Sequence, residues 1–226
     1  MQFGIVNAAA GGHRMERGEI LPRWRNTQKM ALTAELVKLC ERPEPDPGPG
    51  PDDEDFTEED YHDAAAELLL RHGNQSIWIF AYGSLLWKPA TAVIETRAAT
   101  AQGWRRAFCL EMKRWRGSPV QPGLMMGLRQ GGRCEGAILR LPEDDRLTQL
   151  MLLLRREIDG REDLRSVRVI NVQTAQGPVP ALAFWAEPSE SRYFANPGLS
   201  ETARVLARAC GHLGSGAAYL YETVTK

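Results

Sequence analysis

Residues 42–55, RPEPDPGPGPDDED, interleave proline, glycine and acid and carry no large apolar side chain. Such a stretch cannot bury enough apolar surface to offset the entropy of ordering it, so it reads as a linker. Any sizeable core must therefore be built outside it. The 226-residue chain then divides into an amino-terminal extension, residues 1–75, and one domain, residues 76–226. Within the extension, Asn26 and Thr27 offer a cap for a helix with Leu32, Leu36, Leu39 and Cys40 at helical spacing. Thr57 followed by Glu58, Glu59 and Asp60 marks a second helix, running to about Arg71 and stopping at Gly73. Its apolar side, Tyr61, Ala65, Leu68 and Leu69, predicts that it docks on the domain that follows.

Past residue 76 the pattern changes. Segments 77–81, 93–101, 104–112, 124–129, 133–141, 165–174 and 179–186 read as strands. Gly131-Gly132 predicts a tight hairpin between two of them, and Gly177-Pro178 a second turn. One strong helix is expected from Glu143 to about Ile158, with Leu147, Leu150, Met151 and Leu154 on one stripe. Ser200 offers a cap for another helix ending before Gly211, and AAYLYETV predicts a last one. Strands dominate and do not alternate regularly with helices. The fold class expected is α+β, built on an antiparallel or barrel-like sheet.

Composition closes off several functions. With 43% hydrophobic and 25% charged residues and a net charge of −1, nothing drives the chain toward nucleic acid or an anionic membrane. Arg105, Arg106, Lys113, Arg114 and Arg116 alternate with Trp104, Phe108 and Trp115, which reads as a half-buried strand with a basic outer face. No apolar run approaches the roughly 18 residues of a membrane helix. The first 20 residues show no basic leader followed by an apolar core, so no secretory signal is expected. Cys40, Cys109, Cys134 and Cys210 lie far apart, which predicts free thiols in a reducing cytoplasm. His13, His62, His72 and His212 show no metal-ligand spacing, and neither a P-loop nor a G-x-G-x-x-G motif occurs. No cofactor is expected. Ser84 is not in a G-x-S-x-G elbow, which argues against a serine hydrolase.

Two features remain to carry chemistry. In IWIFAYGSLLW, residues 77–87, a buried strand is broken by Tyr82-Gly83-Ser84, which offers backbone N–H groups and a hydroxyl to something outside the strand. Glu157 lies four residues past Leu153 and seven past Leu150, on their apolar stripe and in the last helical turn. Partial burial and the helix dipole would both favour its protonated form and suit it to proton transfer near neutrality. The competing reading ends the helix a residue or two earlier and pairs Glu157 with Arg155, Arg156 or Arg161.

The stretch IWIFAYGSLLWKPA, followed in order by GWRRAFCLEM, RGSPVQPGLMMGLRQGGRCEGAILRL, LLLRRE and ACGHLGSGAAYL, resembles the ChaC-like γ-glutamylcyclotransferases across residues 77–222. One departure is Ala81, where that family usually has glycine; as the last residue of a strand, alanine is harmless there. The resemblance implies a barrel-like mixed fold and cleavage of glutathione into 5-oxoproline and L-cysteinylglycine. It implies Glu157 as the catalytic carboxylate. It also implies a substrate-binding segment of Ile79, Phe80, Ala81, Tyr82, Gly83, Ser84 and Leu85, and Tyr219 as a further pocket residue. Metal and cofactor are unnecessary in that chemistry, because the substrate's own α-amine is the nucleophile. Two alternatives stay open at this level: a cyclotransferase for another γ-glutamyl peptide or amine, and a non-catalytic regulator linked to cation transport.

Overall fold

The computed structural model describes residues 31–50, 56–189, 193–194 and 197–225. Its centre is a closed five-stranded barrel of β1 (Trp78–Ala81), β2 (Glu95–Met112), β3 (Gly123–Arg140), β4 (Val167–Thr174) and β5 (Gly177–Phe184). The order around the barrel is β1-β3-β2-β4-β5. All neighbours pair antiparallel except β1 and β5, which close the barrel in parallel at Ile79 and Leu182. The mixed, barrel-like α+β architecture is thus the one expected.

Because β1 closes the barrel, it is buried on both faces, as its apolar run requires. Trp78 and Phe80 join a cluster to which all five strands contribute, with Leu128, Ile138, Val172 and Ala183 among its members. Ile79 and Ala81 point the other way, into a layer completed by helices α2 (Glu58–His72) and α3 (Arg146–Glu157). Leu150, Leu153 and Leu154 of α3 are fully covered there, each contributing about 1.5–3 kcal/mol by leaving water.

The α2 helix starts where predicted. Thr57 and Asp60 form a reciprocal capping box, and Gly73 ends the helix. Its expected apolar side docks on the barrel layer through Tyr61 and Ala65, with Leu68 and Leu69 packed alongside. The Tyr61 hydroxyl donates to the carbonyl of Ile158 at 2.9 Å, and Arg155 pairs with Glu58. Both contacts buttress the end of α3.

Four expectations change. The predicted hairpin at Gly131-Gly132 is absent: both glycines lie inside β3 at φ +94° and +84°. They face Gly103, at φ +80°, across a register shift between Gln102 and Trp104. Positive-φ glycines here make a bulge that bends two long strands, not a chain reversal. Segments 93–101 and 104–112 are therefore halves of β2, and 124–129 and 133–141 halves of β3. Helix α3 begins at Arg146, after Asp145 in the left-handed region at φ 54°, and not at Glu143. Ser200 sits within α4 (Leu199–Arg208), whose cap position is Gly198, without a side-chain hydrogen bond.

The fourth change concerns the linker. The helix start at Asn26-Thr27 and residues 51–55 lie outside the described residues; α1 (Ala34–Lys38) is capped by Thr33. Residues 42–50 contain no helix or strand, as their composition demands. They are nevertheless strapped to the domain. Arg114 grips the Asp46 carboxylate through two bonds of 2.7 Å. Arg42 donates to the Arg208 carbonyl at 2.9 Å, and the Cys210 thiol donates to the Arg42 carbonyl. A segment with nothing to bury can still be held by charge and backbone groups.

The chain ends in the short pair β6 (Cys210–Gly211) and β7 (Gly214–Ser215), then α5 (Gly216–Thr225), which carries Tyr219 inward. Among the described residues no helix is long and apolar enough to cross a membrane.

Candidate active site

At one rim of the barrel three segments distant in sequence meet. β1 runs out at Ala81 and the chain turns through Tyr82 and Gly83 into a single 3-10 turn, Ser84–Leu86. The carboxylate of Glu157 arrives from the last residue of α3, and the phenol of Tyr219 from α5. Together with Met125, Met126 and Phe184 they line a narrow cleft.

Of the predicted segment, Tyr82, Gly83, Ser84 and Leu85 line this cleft, as do Glu157 and Tyr219. Ile79, Phe80 and Ala81 do not. Their side chains are buried in the two core layers, and they act as the strand from which the turn is hung. Ala81 is the last residue of β1, with no positive φ, so the glycine usual in its place is not needed for the backbone. Met125, Met126 and Phe184 escaped the sequence reading. Phe184 ends β5, and only the parallel closure of the barrel brings it beside the turn after β1.

The turn is cross-braced. The Tyr82 hydroxyl donates to the Phe184 carbonyl at 2.6 Å, and Arg106 donates to the Tyr82 carbonyl at 3.2 Å. Gly83, at φ −144°, is not in the left-handed region. What matters is space: a Cβ on Gly83 would lie 3.4 Å from the Tyr219 hydroxyl, inside the cleft. The amides that open the 3-10 turn have no carbonyl partner within it, as at the start of any helix.

Tyr219 is buried and Tyr82 half-buried. Burial first, and the nearby Glu157 charge second, push the Tyr82 and Tyr219 hydroxyls well above the ordinary tyrosine value. They therefore remain protonated donors through the neutral range. The backbone amide of Met126 hydrogen-bonds the Tyr219 oxygen. The Tyr219 ring is held edge-on by Phe108 at 6.1 Å, beside Trp87 at 5.9 Å, with the Arg116 guanidinium 5.3 Å from its centre.

Glu157 combines the two readings its position allowed. The helix extends to Glu157 itself, and the side chain faces the cleft. It also pairs with Arg156, Nε to Oε1 at 3.2 Å. Arg156 in turn donates to the Ser84 hydroxyl at 3.1 Å. Among the described residues no group of three or more His, Cys, Asp or Glu could hold a metal ion.

A carboxylate beside protonated phenols and backbone donors can move a proton and stabilise an oxyanion without a metal. The same fold occurs in the selenomethionine-labelled, glutathione-specific γ-glutamyl cyclotransferase from yeast. The two superpose with a TM-score of 0.58 at 18% identity, over 66% of this chain and 85% of that one. The fold is thus that of a γ-glutamyl cyclotransferase. The chain belongs to the ChaC-like protein family, whose model matches residues 77–226. It is 38% identical over 166 residues to the glutathione-specific γ-glutamylcyclotransferase of Escherichia coli (strain K12), covering 70% of this chain and 68% of that protein. The human glutathione-specific γ-glutamylcyclotransferase 1 is 28% identical over 150 residues, covering 65% of this chain and 67% of that protein.

Proposed function

We propose that this protein is a lyase that cleaves glutathione into 5-oxoproline and L-cysteinylglycine, with the chemistry carried out in the 82–85/Glu157/Tyr219 cleft. The observation that carries the reading is the convergence of Glu157, the turn after β1 and Tyr219 on one small cleft, in a chain 38% identical to a glutathione-specific enzyme.

The reaction needs no external nucleophile. The γ-glutamyl arm must curl so that its α-amine faces its own γ-carbonyl, and holding that shape accounts for about 7–11 kcal/mol at best of the barrier. Glu157 takes a proton from the α-ammonium, and the freed nitrogen attacks the γ-carbonyl carbon. The resulting oxyanion is met by the Tyr219 hydroxyl and by amides of the 83–85 turn. The amide C–N bond then breaks as the proton held by Glu157 passes to the departing amine, and the second ammonium proton, still on the ring nitrogen, follows through the same carboxylate to leave cysteinylglycine as its ammonium. The ring closes as 5-oxoproline. Ser84 is a contact and forms no acyl intermediate.

Glutathione as the substrate, the cytoplasm as the location and a site free of metal and cofactor belong to the same proposal. Four free cysteines suit a reducing compartment. The test is to incubate the purified protein with glutathione and assay 5-oxoproline, with γ-glutamyl amines and dipeptides in parallel. Release from glutathione that survives exhaustive EDTA treatment supports the reading. Turnover only of another γ-glutamyl compound, or none at all, replaces it with one of the two alternatives.

A further inference from the structure

We infer that Arg156 is the positioning residue of this site: its guanidinium clamps the Glu157 carboxylate and the Ser84 turn into one arrangement and supplies the charge that keeps the carboxylate ready to accept a proton. The inference rests on the cyclotransferase reading above and deepens it.

Neighbouring residues on a helix point about 100° apart and do not ordinarily touch. Arg156 and Glu157 do, at 3.2 Å. They can because α3 ends at Glu157 and Ile158 is already extended, at φ −124° and ψ 125°. Both side chains turn toward the same rim of the barrel. The guanidinium then spans two elements, with Nε on Glu157 and a terminal nitrogen on the Ser84 hydroxyl at 3.1 Å. Its other terminal nitrogen is buried without a hydrogen-bond partner. Arg155, one residue earlier, shows the contrasting case: it is 42% exposed and ties α3 to Glu58 of α2. Arg156 is 23% exposed and Glu157 20%, so their pairing is shielded from solvent far better than a surface pair.

Tyr82, from the end of β1, and Tyr219, from α5, are titratable groups that couple to Glu157. Both stay neutral through the range in which a carboxylate titrates. Arg116 is one layer further out, stacked on Tyr219. Among these neighbours, Arg156 brings a positive charge into direct contact with the carboxylate. A planar guanidinium with one nitrogen on each partner, a fork across two elements, also fixes direction, which a lysine ammonium does not.

The experiment compares the wild type with Arg156→Gln and Arg156→Lys. It measures the pH profile of kcat/KM for glutathione, kcat and KM separately, and melting temperature. The Glu157 carboxyl carbon is also titrated by NMR in the ligand-free proteins. Arg156→Gln should move the acid limb, and the NMR midpoint, upward by about one pH unit or more. It should lower kcat roughly 10–100-fold, with a smaller change in KM. Arg156→Lys should leave the limb near its wild-type position while kcat still falls about tenfold, since charge returns without the fork. An unmoved limb and midpoint in Arg156→Gln overturns the assignment, as does unchanged kcat in Arg156→Lys. If Arg156→Gln does not fold, the kcat of Arg156→Lys decides alone. Failure of the wild type to release 5-oxoproline defeats the underlying reading instead, and the NMR midpoints then judge the clamp by themselves.

Discussion

Two hollows in this protein differ in an instructive way. The larger, open to solvent, lies between the strap at residues 41–45 and the β6–β7 pair, beside Cys210, His212 and Gly214. The smaller is the narrow cleft at the barrel rim. In the larger, the charged pair is a surface one: Arg42 is 42% exposed and reaches Glu44 at 2.6 Å. In the smaller, burial has displaced two phenols from their ordinary ionisation range, and a carboxylate and a guanidinium share the space. Size marks where the chain fits loosely. Chemistry is marked by polar groups brought together out of water.

That contrast can be broken most decisively at Glu157. Glu157→Gln is nearly isosteric but cannot take the ammonium proton, so turnover should fall by about 10²–10⁴-fold with the melting temperature little changed. A variant retaining more than about a tenth of wild-type kcat, against the 10²–10⁴-fold typical of acid–base catalysis, would remove the carboxylate from the mechanism.

Next comes Gly83. In Gly83→Ala the new methyl would stand in the cleft, 3.4 Å from the Tyr219 hydroxyl. Displacing the substrate by an ångström should cost about 10²-fold in kcat/KM, in a protein that melts normally. Ser84→Ala should keep measurable activity. A trapped γ-glutamyl-serine adduct would reverse that expectation and the intramolecular mechanism with it.

A third test separates scaffold from site. A chain beginning at residue 56 keeps α2 and should fold and turn over glutathione. One beginning at residue 76 loses the Tyr61–Ile158 hydrogen bond and the Glu58–Arg155 pair behind Glu157. It should melt several degrees lower, by the roughly 2–4 °C that each kcal/mol is worth in a domain of this size, and lose rate as Glu157 loosens. Equal stability of the two would detach α2 from the site.

The smallest effect is expected at the strap. Arg114's hydrogen bonds, foremost among the causes, hold the Asp46 carboxyl down to about 2, below the ordinary 3.8. A depressed carboxyl stabilises the folded form above its ordinary value and stops doing so as pH falls toward its folded value. Proteolysis within residues 42–50 should therefore accelerate as pH drops from about 4 toward 2, and in Asp46→Asn at neutral pH. Turnover should not follow it. If Asp46→Asn slowed turnover as Gly83→Ala does, the two hollows would not be separate in function.

Much of this was readable in advance because the signals were local. The capping box at Thr57 and Asp60, the stripe through Leu150 and Leu154 and the two-sided burial of residues 77–81 each depend on neighbours along the chain. Gly131-Gly132 was misread because a hairpin and a bulge ask the same φ of glycine, and only the partner strand decides between them. Phe184, Met125 and Met126 carried no signal at all, since what makes them cleft residues is barrel closure. Arg156 did carry one, its place beside Glu157, but adjacency on a helix ordinarily argues against contact.

The parallel closure of β1 on β5 has a consequence for how the protein is made. Ile79 and Leu182 lie roughly a hundred residues apart, and bringing distant segments together is the slow part of folding. The long β2–β3 pair joins chain neighbours and can form early. The first strand, by contrast, must wait for the fifth, and Tyr219 is synthesised later still. On a ribosome, then, the turn at Tyr82-Gly83-Ser84 emerges near the start of the domain, yet its cleft has no far wall until almost the whole chain is out. Amide exchange should find β2 and β3 protected first during refolding, and catalytic competence arriving last.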